Sequence, residues 1–367
     1  MNERRRRASL DLGDHYFKFG EQLVNAGLIP GYQVAVSNSG DVWQKAGGSL
    51  HDGSPMTHEA VHQLHCLLKP AIALAVIVCI DDGMLDRSTT LAELGITVGL
   101  ELGEVTVGEL LNHGHPYRTP SLLQWRLADQ DTRREFASLV RLGHLVRSDS
   151  QGYSEFVGWY LLECVLRSVA DGDAWEVLGA HRLWNSSSGA HELKRESKSQ
   201  MTRRGVCVWG LPHRWIPALS ELDRPNGEML ASGCEGSAAD ALRLYAVICD
   251  RLSGRNQERP GSVTLRTIGS TARVTEYDPV LRRPVSFVDG MMKDPVGQIR
   301  MGLHHVRSFG HTGSGSTCFA LILPDAEVVI AVVINNLITD QRAYRELVGE
   351  FASAVLDEVV DLPIGGG

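Results

Sequence analysis

Cys66-Leu-Leu-Lys69 sets a thiol and a primary amine three residues apart. On a helix that spacing places both side chains on one face, one turn apart. A cysteine at a helix start beside a lysine is favoured as thiolate by the macrodipole and by the neighbouring positive charge. That is the setting of an activated nucleophile, one that attacks a carbonyl carbon and holds the acyl group as a thioester. Spacing alone does not settle the point, because seven cysteines are scattered along the chain and a chance Cys-x-x-Lys is unsurprising. Their number is odd, and no CxxC pair or Cys/His spacing of the zinc type occurs, so reduced thiols without structural disulfides are expected. His62, His65, His113, His115, His304 and His305 share no helical face with carboxylate or thiolate partners, and neither a metal nor a cofactor is expected.

The elements that must position these groups are legible in part. Residues from Ser9 to Ala26 carry apolar positions at helical spacing and stop before Gly27. From Gly31 to Trp43 the pattern is that of two strands joined at Ser39-Gly40-Asp41. Cys66 to Asp81 is apolar nearly all round, which predicts a helix buried on every side and closed by Asp82-Gly83. Val105 to Leu111 and Tyr160 to Val169 continue the helical character. Residues 181–225 are polar but carry Trp184, Trp209 and Trp215, and are read as long loops over a site. Cys318 to Leu323 and Val328 to Ile334 are β-rich runs around Pro324-Asp325, a hairpin signal, and Gln341 to Val359 reads as a closing helix. Strands at both ends with helices between them describe an α+β arrangement.

A chain of 367 residues, 43% hydrophobic, can bury a large core. A net charge of -8 would repel a polyanion, so nucleic acid is not an expected partner. The four arginines at Arg4 to Arg7 are followed by Asp11, Asp14, His15 and Lys18 rather than by an apolar core, and no apolar run reaches bilayer length. A cytoplasmic protein with no membrane partner is expected.

Four blocks, in order, resemble the serine beta-lactamase/DD-peptidase/esterase family, with cysteine where the family has its nucleophilic serine. They are "LHCLLKPAIALAVIVCIDDGMLD", "VTVGELLNHG", "YSEFVGWYLLECVLRSVADGD" and "FGHTGSGSTCFALILPDAEVVIAVVINN". The likeness runs over roughly residues 30 to 340 and is greatest to the class C and esterase branch. It implies a beta-lactamase/transpeptidase-like fold: a five-stranded antiparallel sheet flanked by helices, plus a helical region. Residues 1–65 and 260–367 would form the discontinuous sheet domain and 66–259 the mainly helical domain, with the site at the seam.

The same resemblance implies the roles. Cys66 takes the nucleophile's place and Lys69 that of its proton acceptor. Tyr153 matches the second base, which relays a proton to the leaving group and from the acceptor. His311-Thr312-Gly313 matches the third motif, its histidine cationic or hydrogen-bonding toward the site and Gly313 letting substrate approach the backbone. The N–H groups of Cys66 and Ser314 would form the oxyanion hole. One further departure stands two residues after Tyr153, where the family's asparagine is Glu155, so penicillin-type binding is not expected. Glu155 leaves two readings open, a partner for an amine or Lys69, or a solvated substitution.

A thioester reacts comparatively better with amines than an oxygen ester does. The expected activity is therefore ATP-independent amide formation from an ester-activated acyl donor and an amine acceptor, of the kind carried out by amide-forming transacylases of antibiotic biosynthesis such as that of the capuramycin pathway. An esterase or amidase on the same thioester, and a non-catalytic binding protein on the same fold, remain alternatives at this stage.

Overall fold

The computed structural model describes residues 18–50, 52–96, 103–118, 146–147, 153, 157–170, 172–180, 205–207, 214–215, 235–253, 273–278, 283–295, 307–313 and 318–338. Its centre is one antiparallel sheet of eight strands: β1 (Gly31–Asn38), β2 (Asp41–Gly48), β3 (Arg273–Asp278), β4 (Arg283–Val288), β5 (Met291–Lys293), β6 (Phe309–Thr312), β7 (Cys318–Leu323) and β8 (Val328–Ile334). The spatial order is β2-β1-β8-β7-β6-β5-β4-β3. The expected five strands are the run from β2 to β6, and β5, β4 and β3 extend the sheet beyond them. Strands far apart in the chain meet beside the β2 edge, with Tyr32 opposite Ile334 and Asn38 opposite Val328.

Burial explains which runs became central strands. Every residue of β7 and β8 is buried, as is all of β1 up to Ser37. β7 and β8 read as continuous apolar runs because both sheet faces are covered. One cover is α6 (Ala238–Leu252), which packs on β1, β7 and β8. It starts with a capping box in which Ser237 and Asp240 satisfy each other's backbone N–H groups. The helical region holds α2 (Lys69–Asp81) against α4 (Val157–Ala170) and α5 (Ala174–Ala180), with α3 (Val107–Leu111) on α4. The first helix, α1, spans 18–25, within the stretch expected to be helical. Sheet and helices share one hydrophobic core, from Ala35 and Phe309 to Val76 and Leu162.

Two expectations need correction. The helix expected from Cys66 begins at Lys69, and His65–Leu68 form a 3-10 turn instead. Pro70 is the physical reason: it has no N–H to return to the carbonyl of Cys66, so the Lys69 N–H takes that carbonyl in the shorter i→i+3 bond. The stretch 181–225, read as loops, contains strand: Gly205–Cys207 pairs with Asn336–Ile338 and Arg214–Trp215 in a small second sheet. The helix read at Gln341 to Val359 lies outside the described residues. Among the described residues, no helix is long and apolar enough to cross a membrane.

Candidate active site

The turn that carries Cys66 is held at several points. The Sγ of Cys318 donates to the Leu64 carbonyl at 3.0 Å, and the Tyr245 hydroxyl donates to the Leu67 carbonyl at 2.8 Å. The turn also packs against β6 and β7. His65, immediately before Cys66, has φ +45, a left-handed conformation that costs a non-glycine residue about 1–3 kcal/mol and persists only where the surroundings enforce it. Cys66 is therefore presented by a pinned, strained turn at the head of α2 rather than by a regular helix.

Lys69 is the first residue of α2, and its Nζ donates to the Tyr153 hydroxyl at 2.6 Å. It also lies 4.9 Å from the centre of the Tyr153 ring and 5.6 Å from that of Trp159. Two aromatic faces and a phenol oxygen thus surround a cation that water does not reach, which partly offsets its desolvation. Tyr153 is fixed from the opposite side, where its backbone N–H donates to the buried Asp278 carboxylate at the end of β3.

His311 lies on β6, opposite Ala320 of β7, with its ring 6.0 Å from that of Tyr153 and edge-on to Trp159 at 6.5 Å. Its Nδ1 is 2.9 Å from the carbonyl of Thr312, which can only accept, so Nδ1 carries the proton and Nε2 is a bare acceptor. Among the described residues Nε2 finds no partner, nor does the buried Trp159 Nε1. Burial, and secondarily the Lys69 charge, push the imidazole down to about 3 against the opposing Thr312 bond. Of the two readings of this histidine, cationic or hydrogen-bonding, the surroundings favour the second, because a second positive charge beside buried Lys69 is disfavoured, and the ring is neutral.

This neutrality has a measurable consequence. The unfolded chain takes up a proton at this histidine below pH of about 6.5 and the folded chain does not until about 3, so stability is lost as the pH drops from about 6.5 to about 3, by up to about 1.4 kcal/mol per unit. Urea unfolding of His311→Gln should show a shallower acid loss than the parent chain. Parallel loss in both would mean that the imidazole ionises in the folded state.

Sequence reasoning weighed His113 only as a metal ligand and singled out neither Trp159 nor Phe287, which together frame the site. His113, in the left-handed region at φ +55, makes edge contacts with Tyr153 at 4.9 Å, Phe287 at 4.6 Å and Trp159 at 5.5 Å, and Phe287 stacks on Tyr153 at 5.3 Å. The one local hint is Asn112-His113-Gly114 directly after α3, a helix stop with a ring on it. The structure therefore brings Lys69, Tyr153 and His311 together, and sets the Cys66 turn against the strand that bears His311 and Thr312, with Gly313 directly after it. Glu155 and Ser314 lie outside the described residues.

The pinned turn, the buried Lys–Tyr pair and the strand histidine beside a large antiparallel sheet belong to one class of acyl-transferring hydrolases. The chain is a member of the beta-lactamase family, whose model matches residues 18–352. It is 24% identical over 355 residues to "Penicillin-binding protein 4" of Amycolatopsis lactamdurans, covering 91% of this chain and 89% of that one. Among solved structures it resembles SurE, with TM-score 0.67 and 21% identity over 95% of this chain and 77% of that one. It also resembles EstCE1, described as a hydrolase with promiscuous acyltransferase activity, with TM-score 0.70 and 16% identity over 95% of this chain and 99% of that one.

Proposed function

We propose that the chain transfers acyl groups through a thioester on Cys66, joining an ester-activated acyl donor to an amine without ATP, in antibiotic or other secondary metabolism. The observation that carries this reading is the Lys69–Tyr153 hydrogen bond of 2.6 Å, buried behind a cysteine on a pinned turn. It forms a proton relay, and general acid–base relays of this kind contribute about 10²- to 10⁴-fold to rate.

Cys66 attacks the ester carbonyl; the C–S bond forms, the C–O bond breaks, and the departing oxygen takes a proton from Tyr153, which Lys69 supports. The amine then attacks the thioester; the C–N bond forms, the C–S bond breaks to release the Cys66 thiolate, and the amine's proton returns to the Tyr153 oxygen left deprotonated by the first step, which Lys69 stabilises. The ester supplies the driving force, so no nucleotide is required. A thioester reacts comparatively better with amines than an oxygen ester does, which favours transfer, and the groups around it are buried, with Cys66 and Tyr153 each 5% exposed and Lys69 0%. EstCE1, a hydrolase with promiscuous acyltransferase activity, joins both reactions in one protein of this fold, which agrees with a shared intermediate and a choice of acceptor.

The test is intact-protein mass spectrometry after exposure to simple methyl and aryl esters, with and without added amine. An adduct present in the parent chain, absent in Cys66→Ala, and discharged faster by amine than by buffer is expected. Discharge at the same rate in both would make the protein a hydrolase, and an adduct that survives Cys66→Ala would move the nucleophile elsewhere.

A further inference from the structure

We propose that His311 determines specificity by presenting a bare acceptor nitrogen to the site, so that the acyl donor carries an N–H or O–H at that position and not a carboxylate. This rests on the acyl-transfer reading above and names the class of donor it takes: uncharged esters bearing a carboxamide or hydroxyl group.

The geometry leaves the ring little choice. Nδ1–H is committed to the carbonyl of Thr312 at 2.9 Å, and a carbonyl cannot donate in return. Nε2 is therefore the acceptor, and among the described residues it has no partner. Rotating the ring is opposed by its position on β6, between the pairings Gly310–Leu321 and Thr312–Phe319, with edge contacts to Tyr153 and Trp159.

Lys69 at the head of α2 is a cation and opposes protonation of the ring. Tyr153 is a phenol that already accepts from Lys69, and His113 stands across the rings of Tyr153 and Trp159. Ala320, opposite on β7, is apolar. A carboxylate offers only acceptor oxygens, so placed against Nε2 it would set two acceptors face to face in a buried site. An amide N–H or a hydroxyl would instead complete the one bond the ring lacks, and discrimination by a polar group left unpaired is the strong kind.

The experiment uses a matched pair of depsipeptide esters, phenylacetylglycyl lactate and phenylacetylglycyl lactamide, which differ only in carboxylate against carboxamide. Acylation of Cys66 is followed by mass spectrometry in the parent chain, His311→Gln and His311→Lys. The carboxamide should be preferred by at least about tenfold in the parent, a difference of 1.4 kcal/mol. His311→Gln, whose amide can donate as well as accept, should narrow that preference, and His311→Lys should reverse it. A parent chain that prefers the carboxylate, or a ratio unchanged in His311→Lys, overturns the proposal.

Nitrogen-15 spectra of the histidine-labelled parent chain supply a second reading that needs no turnover. Nε2 should resonate as an unprotonated ring nitrogen throughout the range from about pH 5 to about pH 8, below and above the ordinary histidine value. Protonation inside that range overturns the proposal even if both esters react. Failure of both esters to acylate, with Nε2 unprotonated, counts against the acyl-transfer reading and leaves the assignment of His311 standing.

Discussion

Replacing Lys69 by methionine is expected to slow acylation of Cys66 by about 10²- to 10⁴-fold while leaving the unfolding midpoint unchanged or raised. The two effects separate because they have different origins. The rate depends on the 2.6 Å bond from Nζ to the Tyr153 hydroxyl, which methionine cannot make. Stability depends on keeping a fully buried amine in a site walled by the rings of Tyr153 and Trp159. An unbranched thioether fills that space and packs well on aromatic rings, and it removes the desolvation cost of a buried charge. Single-turnover mass spectrometry reads the first effect and thermal unfolding the second. A variant that acylates at the parent rate would remove Lys69 from the mechanism, and one that unfolds many degrees lower would make it a structural residue.

Gly313→Ala is expected to lose both stability and acylation, and adding Cys318→Ala to the same chain is expected to restore part of each. A Cβ on residue 313 would lie 2.2 Å from the Sγ of Cys318 and 3.4 Å from the Leu64 carbonyl. The sulfur has nowhere to retreat, since Cys318 is buried and bonded to that same carbonyl, and the Gly313 N–H is tied to the Cys318 carbonyl at 2.7 Å. Forcing an extra carbon into such packing typically costs about 1–3 kcal/mol. Here the displaced atom is also one that pins the Cys66 turn, so rate should fall along with stability. Removing the sulfur removes the clash, which makes the pair non-additive in the rescuing direction. Chemical denaturation of the two single variants and the double variant measures the coupling. A double variant less stable than Gly313→Ala alone would show that the clash is relieved in some other way.

The parts of this architecture that were legible in the sequence are those set by local pattern. The β1–β2 hairpin announces itself through alternation around Ser39-Gly40, and β7 and β8 through apolar runs split by Pro324-Asp325. Four family-like blocks sufficed to expect an antiparallel sheet with a helical region. Strands β3 to β5 were not legible: they are short, carry charged residues and Pro284, and shift register between Arg283 and Val285. Neighbouring strands rather than periodicity hold such segments in place. Pro70 was visible, but its effect on the Cys66 turn follows only from counting which carbonyl loses its donor. The frame of His113, Trp159 and Phe287 joins residues far apart in the chain and leaves no local pattern to find. For His311 the sequence names the side chain, and only its burial beside Lys69 sets its charge.

The pairing of β1 with β8 brings together residues about three hundred positions apart, and this constrains how the protein is made. At ribosomal speeds of about 5–20 residues per second, β1 emerges roughly 15–60 seconds before the strand that completes it. Throughout that interval an apolar strand edge has no partner, a natural target for chaperones and a hazard for self-association. The same delay acts as a safeguard on the chemistry. The strands that steady the Cys66 turn, β6 and β7, come late among the described residues, so the thiol is translated early but cannot be set in its working geometry until nearly all of the described chain has left the ribosome.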